Sequence, residues 1–165
     1  LAAKYRGRPI DVLVNNAGVL GDYATQLRSQ LDYGNFEQVM RVNVYGQLRL
    51  SVALLDSVAA SRQKKIVAIS SQAGSLFLNQ QARDNYFYRA SKSALNMAMR
   101  TLQNDVRDRG IVVGIFHPGA VDTELNRGFR NDAPKPPTIL GTDESAAAVA
   151  KLNDRLGTEM GGPFY

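Results

Sequence analysis

Three short apolar runs set far apart constrain this chain more than any other feature. Ile10-Asp11-Val12-Leu13-Val14, Ile66-Val67-Ala68-Ile69 and the β-branched residues 111–116 each have the length and composition of a buried strand. The first stops at Asn15-Asn16-Ala17-Gly18, the second at Ser70-Ser71 and the third at Pro118-Gly119. Between them lie helical stretches. Residues 35–60 carry Phe36, Met40, Leu50, Leu54 and Val58 at helical spacings, and residues 87–109 form a second helix closed by Gly110. Strands joined through long helices need crossover connections, so the predicted fold is α/β, a parallel sheet with helices on both faces.

After the third strand comes a polar stretch containing Ala133-Pro134-Lys135-Pro136-Pro137, read as a mobile binding loop. Thr142-Asp143-Glu144-Ser145 then caps a last amphipathic helix to about residue 156. The 165 residues make about one domain, with no repeat and no low-complexity tract. No apolar run is long enough to cross a bilayer and the first residues lack the apolar core of a signal peptide, so the chain is read as cytoplasmic, without a membrane partner. With no Cys and one His, His117, disulfides and thiolate sites are excluded and no metal site is expected. The net charge of +5 is dispersed over groups such as Lys4, Arg6, Arg8 and Arg62, Lys64, Lys65, a solvated surface rather than a nucleic-acid stripe.

The chemistry is signalled by polar residues on apolar stripes. On the second helix Leu95, Met99, Leu102 and Val106 form the buried face, and the same three- and four-residue steps run back to Lys92 and Tyr88. Four apart, these two lie one turn apart on one face, where an ammonium can lower a phenol's pKa and prepare it as an acid or base. Taken alone, a snorkelling Tyr and Lys at a helix start explains the pair as well. Asn43 falls on the stripe of Phe36, Val39, Met40 and Leu50, which points an amide toward the core. Ser71, Asn16 and Thr123 each follow a strand at its carboxyl end, the edge where open parallel sheets bind ligands.

These residues resemble the classical short-chain dehydrogenases/reductases. The matching pieces are Asn15-Asn16-Ala17-Gly18, Asn43-Val44-Tyr45-Gly46, Ser70-Ser71-Gln72-Ala73-Gly74, Tyr88-Arg89-Ala90-Ser91-Lys92 and Pro118-Gly119-Ala120-Val121-Asp122-Thr123, in family order. The run from Tyr88 to Asn96, with His117-Pro118-Gly119, is most similar to the carbonyl-reductase branch that includes sniffer and the C-factor proteins. The resemblance implies a Rossmann-like sheet and an oxidoreductase that interconverts a small-molecule carbonyl and an alcohol with NADP or NAD. It implies that Tyr88 is the general acid/base and that Lys92 lowers its pKa and binds the nicotinamide ribose. Ser71 would hold the substrate oxygen, and Asn43 the water that links Lys92 to solvent. Asn16, Ala17 and Gly18 would lie beside the adenosine ribose; Pro118, Gly119, Val121 and Thr123 would wrap the nicotinamide. The Asn-Asn-Ala-Gly turn has a structural alternative, bracing the central strands. His117 is expected to be a local hydrogen-bonding residue. Tyr86, Tyr33 and Tyr45 lack a Lys four residues on.

The family's opening Thr-Gly-x-x-x-Gly-x-Gly turn, which seats a pyrophosphate on a helix N-terminus, does not occur in the sequence. The first recognisable element corresponds to the family's fourth strand. The chain starts at Leu1 and closes on Gly161-Gly162-Pro163-Phe164-Tyr165, which reads as the start of a strand. The expectation is therefore a partial domain, the catalytic part of a larger one. Its first strand becomes a sheet edge, so that alone it would not bind a dinucleotide tightly and its cooperative folding is at risk. The residues that choose NAD or NADP belong to the missing turn and the strand beyond it; the resembled branch implies NADP. Residues 76–85 and 124–140, with Leu76, Phe77, Leu78, Leu125 and Phe129, imply an apolar substrate pocket. A monomer or a homodimer through the long helices are both open. The alternative to an enzyme is a non-catalytic signalling or binding protein on the same fold, or an inactive fragment, and an altered Tyr or Lys would have favoured it. An epimerase or dehydratase of the extended branch fits the Pro118-Gly119-x-Val121-x-Thr123 turn less well.

Overall fold

The structure, a computed structural model, describes residues 2–5, 7–22, 24, 26–27, 30–78, 83, 85–126 and 138–157. Its elements in chain order are α1 (Ala2–Tyr5), β1 (Val12–Asn15), β2 (Gln26–Leu27), β3 (Gln30–Leu31), α2 (Tyr33–Met40), α3 (Gln47–Ala53), α4 (Leu55–Ala59), β4 (Lys65–Ile69), α5 (Tyr86–Val106), β5 (Val112–Phe116), β6 (Ala120–Val121), β7 (Ile139–Leu140) and a final helix, α6 (Thr142–Arg155). The expected central sheet is present: β1, β4 and β5 lie side by side in that order, all parallel, with Leu13 opposite Ile66 and Ile66 opposite Val113.

Alternation along the strands divides the core in two. Ile66, Ala68, Val113 and Ile115 face α5, where Leu95, Met99, Leu102 and Val106 bury the predicted stripe. Val67, Val112 and Phe116 face the other way and pack with Leu156, Val149 and Leu152 at α6. The sheet is thus covered on both faces. Among the described residues β1 and β5 are its two edges, and on β1 Val14 is 49% exposed. Asp11, the polar residue of that run, accepts hydrogen bonds from the backbone N–H groups of Arg62 and Gln63 at 3.1 Å and so braces the turn into β4.

Two helices differ from expectation. The predicted single helix over residues 35–60 is a succession: α2 passes into a π-helical turn, Arg41–Gly46, then α3, and Leu54 leaves the helical conformation at φ −111°, ψ 7° before α4. The wider π turn brings Asn43 and Val44 inward together, although they are sequence neighbours. The last helix begins at Thr142, but its N-cap is Gly141 with no side-chain cap. Ser145, read as part of the cap, instead donates its hydroxyl to the Pro118 carbonyl at 2.7 Å. Asp143 and Glu144 do occupy the first turn, where they complement the helix dipole. Residues 86–106 end as predicted, in a short tighter turn stopped by Gly110 at φ +70°. The proline-rich residues 133–137, Phe129, and residues 161–165 lie outside the described residues. No described helix is long and apolar enough to cross a membrane, and no described group of three acidic or imidazole side chains could hold a metal ion.

Candidate active site

Parallel strands end on one side of their sheet, so the segments after β1, β4 and β5 converge there. They enclose a cleft of about 1170 Å³. Nine of the residues expected to carry the catalysis or hold the cofactor line it: Asn16, Gly18, Ser71, Tyr88, Lys92, Pro118, Gly119, Val121 and Thr123. Asn43 lies just behind the wall, fully buried. Ala17 does not line the cleft; it is exposed, and its carbonyl accepts a 2.8 Å bond from Gln47 Nε2. That bond ties the Asn-Asn-Ala-Gly turn to α3. Asn15 does likewise, donating from Nδ2 to Ser51 Oγ at 2.9 Å, so the bracing role and the cleft-lining role fall to different residues of one turn.

Tyr88 and Lys92 occupy successive turns of α5 and are 4% and 3% exposed. The Lys92 ammonium stands 5.6 Å from the centroid of the Tyr88 ring and donates to the Ile69 carbonyl, at the end of β4, at 2.9 Å. Burial lowers its pKa to about 8. Burial also raises the Tyr88 phenol above its ordinary value, and a hydrogen bond with the Ser71 hydroxyl and the positive charge of Arg89 pull it partly back. The depression expected from Lys92 is therefore not what this arrangement gives. Desolvation penalises both charged forms, the ammonium lies over the ring face, and one of its protons is committed to a carbonyl.

Ser71 is held across from Tyr88 by the turn it starts. Its Oγ accepts from the Ala73 N–H at 3.1 Å, and the Gly74 carbonyl accepts from Ser93 Oγ at 2.9 Å. Gly74 rests directly on α5: a Cβ there would come within 2.7–2.9 Å of the Lys92 carbonyl carbon, oxygen and Cβ. Backbone cannot step aside cheaply. We expect Gly74→Ala to destabilise the protein by about 1–3 kcal/mol in thermal unfolding, the cost of overpacking, and a loss under about 0.5 kcal/mol would contradict this contact.

Asn43 is saturated on one side by the loop after β1. Its Nδ2 donates to the Val19 carbonyl and to Ser91 Oγ, both at 2.9 Å, and its Oδ1 accepts from the Val19 N–H at 2.8 Å. The amide is thus bound to protein groups, with one Oδ1 lone pair remaining. Gly18 lies between that oxygen and the lysine: a Cβ on it would be 3.6 Å from Asn43 Oδ1 and 3.5 Å from Lys92 Nζ.

On the far wall Gly119 has φ +84°, a left-handed conformation, and a Cβ would meet Leu140 Cδ1 at 2.6 Å. The Val121 carbonyl accepts from Asn126 Nδ2 at 2.9 Å, and the Thr123 carbonyl accepts from the Asn126 N–H at 3.1 Å, which shapes the turn. The buried Nδ1 of His117 finds no partner among the described residues, and burial lowers the pKa of the ring. Arg89, Leu78 and Leu125 also line the cleft, and Leu76 and Phe77 beside it are 87% and 78% exposed.

Sequence reasoning missed Gln26, Ser91 and Gln47. Ser91 and Gln47 lie three and four residues past Tyr88 and Asn43, spacings that could have flagged them; Gln26 carries no such signal.

A family model described as short chain dehydrogenase matches residues 2–134. C-signal of Myxococcus xanthus is 32% identical over 157 residues, 95% of this chain and 88% of that protein. Among solved structures, NADPH-bound carbonyl reductase from chicken fatty liver superposes at TM-score 0.83 with 27% identity, covering 99% of this chain and 65% of that one. The carbonyl reductase Sniffer of D. melanogaster gives TM-score 0.81 and 25% identity, covering 98% of this chain and 65% of its own. The chain therefore spans about two thirds of the length of the two solved reductases and more of C-signal.

Proposed function

The chain belongs to the short-chain dehydrogenase family, and on that premise we propose that its cleft serves the reduction of a carbonyl to an alcohol, and the reverse, with a nicotinamide cofactor. The observation that carries this reading is the polar set on the cleft wall: Ser71, half-buried just after β4, hydrogen-bonded to the buried Tyr88 of α5, and the buried Lys92 one turn along that helix. The chicken carbonyl reductase is bound to NADPH, which favours NADP over NAD here.

The residues present fit the nicotinamide end of such a cofactor. The cleft exceeds the roughly 300–1,000 Å³ of a pocket for one small ligand, leaving space for cofactor and substrate together. Lys92 has donors beyond the one given to Ile69, and Gly18 leaves bare backbone beside them. When bound, the reduced nicotinamide supplies a hydride to the carbonyl carbon. Tyr88, a phenol that is protonated at neutral pH and whose pKa burial raises further, donates from Oη to the carbonyl oxygen during reduction. Ser71 Oγ holds that oxygen against the phenol. Lys92 would contact the cofactor's ribose and return a proton to Tyr88, with Asn43 Oδ1 beside Gly18 placed to hold a relaying water. Asn16 and Gly18 would hold the cofactor's adenosine ribose, with Ala17 contributing through its anchored backbone, and Pro118, Gly119, Val121 and Thr123 would hold the nicotinamide. Leu78 and Leu125 in the wall favour an apolar substrate body.

A signalling protein on the same fold, a reading that the name C-signal brings forward, leaves the Ser71, Tyr88 and Lys92 set without a use. The test is an absorbance assay at the nicotinamide band with NADPH and a panel of ketones and aldehydes. We expect carbonyl-dependent loss of signal for at least one apolar member; no turnover across the panel with bound NADPH would contradict the reading.

A further inference from the structure

The first turn of α5 carries the proposed acid, yet that turn lacks a cap of its own. Asn85, its N-cap residue, is left-handed at φ 50°, ψ 37° and makes no side-chain cap bond. The first backbone bond of the turn is from the Arg89 N–H to the Asn85 carbonyl, so the Tyr88 N–H precedes it and is one of the orphan donors of a helix start. A side chain 62 positions away satisfies it. Gln26 Oε1 accepts the Tyr88 N–H at 3.2 Å, and Gln26 Nε2 donates to the Leu20 carbonyl at 2.8 Å and more weakly to the Asp22 carbonyl at 3.4 Å. Gln26 is fully buried.

The Tyr88 carbonyl is held as well, by a 2.8 Å bond from Ser91 Oγ. Ser91 in turn accepts from Asn43, which grips both backbone groups of Val19. Two buried amides therefore fasten the Val19-Leu20 segment, immediately after Gly18, to both backbone groups of the residue that carries the phenol. An unmade bond at a buried Gln is costly, which makes this arrangement stiff.

We propose that Gln26 is a positioning residue for Tyr88, capping the first turn of α5 from outside and locking it to the cleft segment behind Gly18. This rests on Tyr88 being the acid of the reaction. Gln26 touches neither substrate nor cofactor; it acts by fixing where the phenol stands.

The test uses Gln26→Met, which keeps the length and removes the acceptor, and Gln26→Glu, which keeps an oxygen facing the Tyr88 N–H. For Gln26→Met we expect kcat of carbonyl reduction to fall about 10-fold or more with KM for the carbonyl changed less than about 2-fold, and the pH limb of kcat to move, because a displaced acid loses rate rather than binding. Exchange of the Tyr88 amide with solvent should quicken about 10-fold while the Leu102 amide keeps its protection. Gln26→Glu should recover part of kcat. If Tyr88→Phe is inactive but Gln26→Met keeps kcat and its pH limb, the inference fails and the catalytic reading stands; if Tyr88→Phe keeps turnover, both fail. Should Gln26→Met not fold, the unaltered protein decides: a Tyr88 amide that exchanges as fast as those of Tyr86 and Phe87 overturns the proposal.

Discussion

Tyr88→Phe is expected to lower kcat for carbonyl reduction by about 10²–10⁴-fold, the range a positioned proton donor contributes. The substitution removes one hydroxyl and keeps the ring, so the contact with the Lys92 ammonium and the packing at the start of α5 survive. What disappears is the phenolic proton and the hydrogen bond to Ser71. The effect should therefore fall on kcat, with KM little changed. The same phenol makes the rate of reduction fall as pH rises through its raised pKa, and that limb should vanish from the residual activity of the variant. Tyr86→Phe is the companion control: its ring is half-exposed, outside the cleft and without a lysine one turn on, and kcat should stay within about 2-fold of the unaltered protein.

Lys92→Met should have the second large effect, and it runs in opposite directions for activity and for stability. Removing the ammonium should cost about 10²-fold or more in kcat, the scale of one preorganised donor in a water-poor site. Stability should rise at neutral pH. The lysine is buried with its pKa lowered from 10.5 to about 8. Below pH 8 both folded and unfolded chains carry the proton, and the full cost of burying the charge is present. Between pH 8 and 10.5 the unfolded chain still binds a proton that the folded one has shed, so stability climbs with pH across that window. Tyr88 opposes this only above pH 10, where the unfolded phenol ionises first. Denaturant unfolding of the two proteins from pH 7 to 10 should show the variant ahead at neutral pH, by at most about 3 kcal/mol, and the difference closing as pH rises. A difference that is constant with pH would contradict the burial of a charged Lys92.

Much of this was legible in the sequence because it depends on periodicity. Three apolar runs and the stripe from Leu95 to Val106 announced a parallel sheet packed on α5, and parallel strands forced Asn16, Ser71 and Thr123 to one edge. Stepping the stripe backward also found Tyr88 and Lys92. The rest depended on three-dimensional placement. No local pattern signals the π turn that brings Asn43 and Val44 inward together, or the break at Leu54. One-turn spacing told that Lys92 is near Tyr88, but not that both would be so dry that burial outweighs their mutual attraction. The division of labour within Asn15-Asn16-Ala17-Gly18 depends on partners in α3. Gln26 was invisible for the same reason, since its value to Tyr88 lies in a contact across 62 residues and not in its neighbours.

β1 lies at one edge of the sheet formed by the described residues, with Val14 exposed. We expect the 165-residue chain by itself to self-associate with rising concentration, as exposed strand edges do, and light scattering that stays flat with concentration would count against an open edge there.

The central claim is that Ser71, Tyr88 and Lys92 hold a carbonyl for reduction by a nicotinamide. It is tested most directly by supplying NADPH deuterated at C4 of the nicotinamide, with a carbonyl the protein consumes, and locating the label in the product. The account predicts deuterium on the carbinol carbon in the unaltered protein, and product formation lost with Tyr88→Phe. Alcohol without label, or equal labelling by the phenylalanine variant at an undiminished rate, would contradict it.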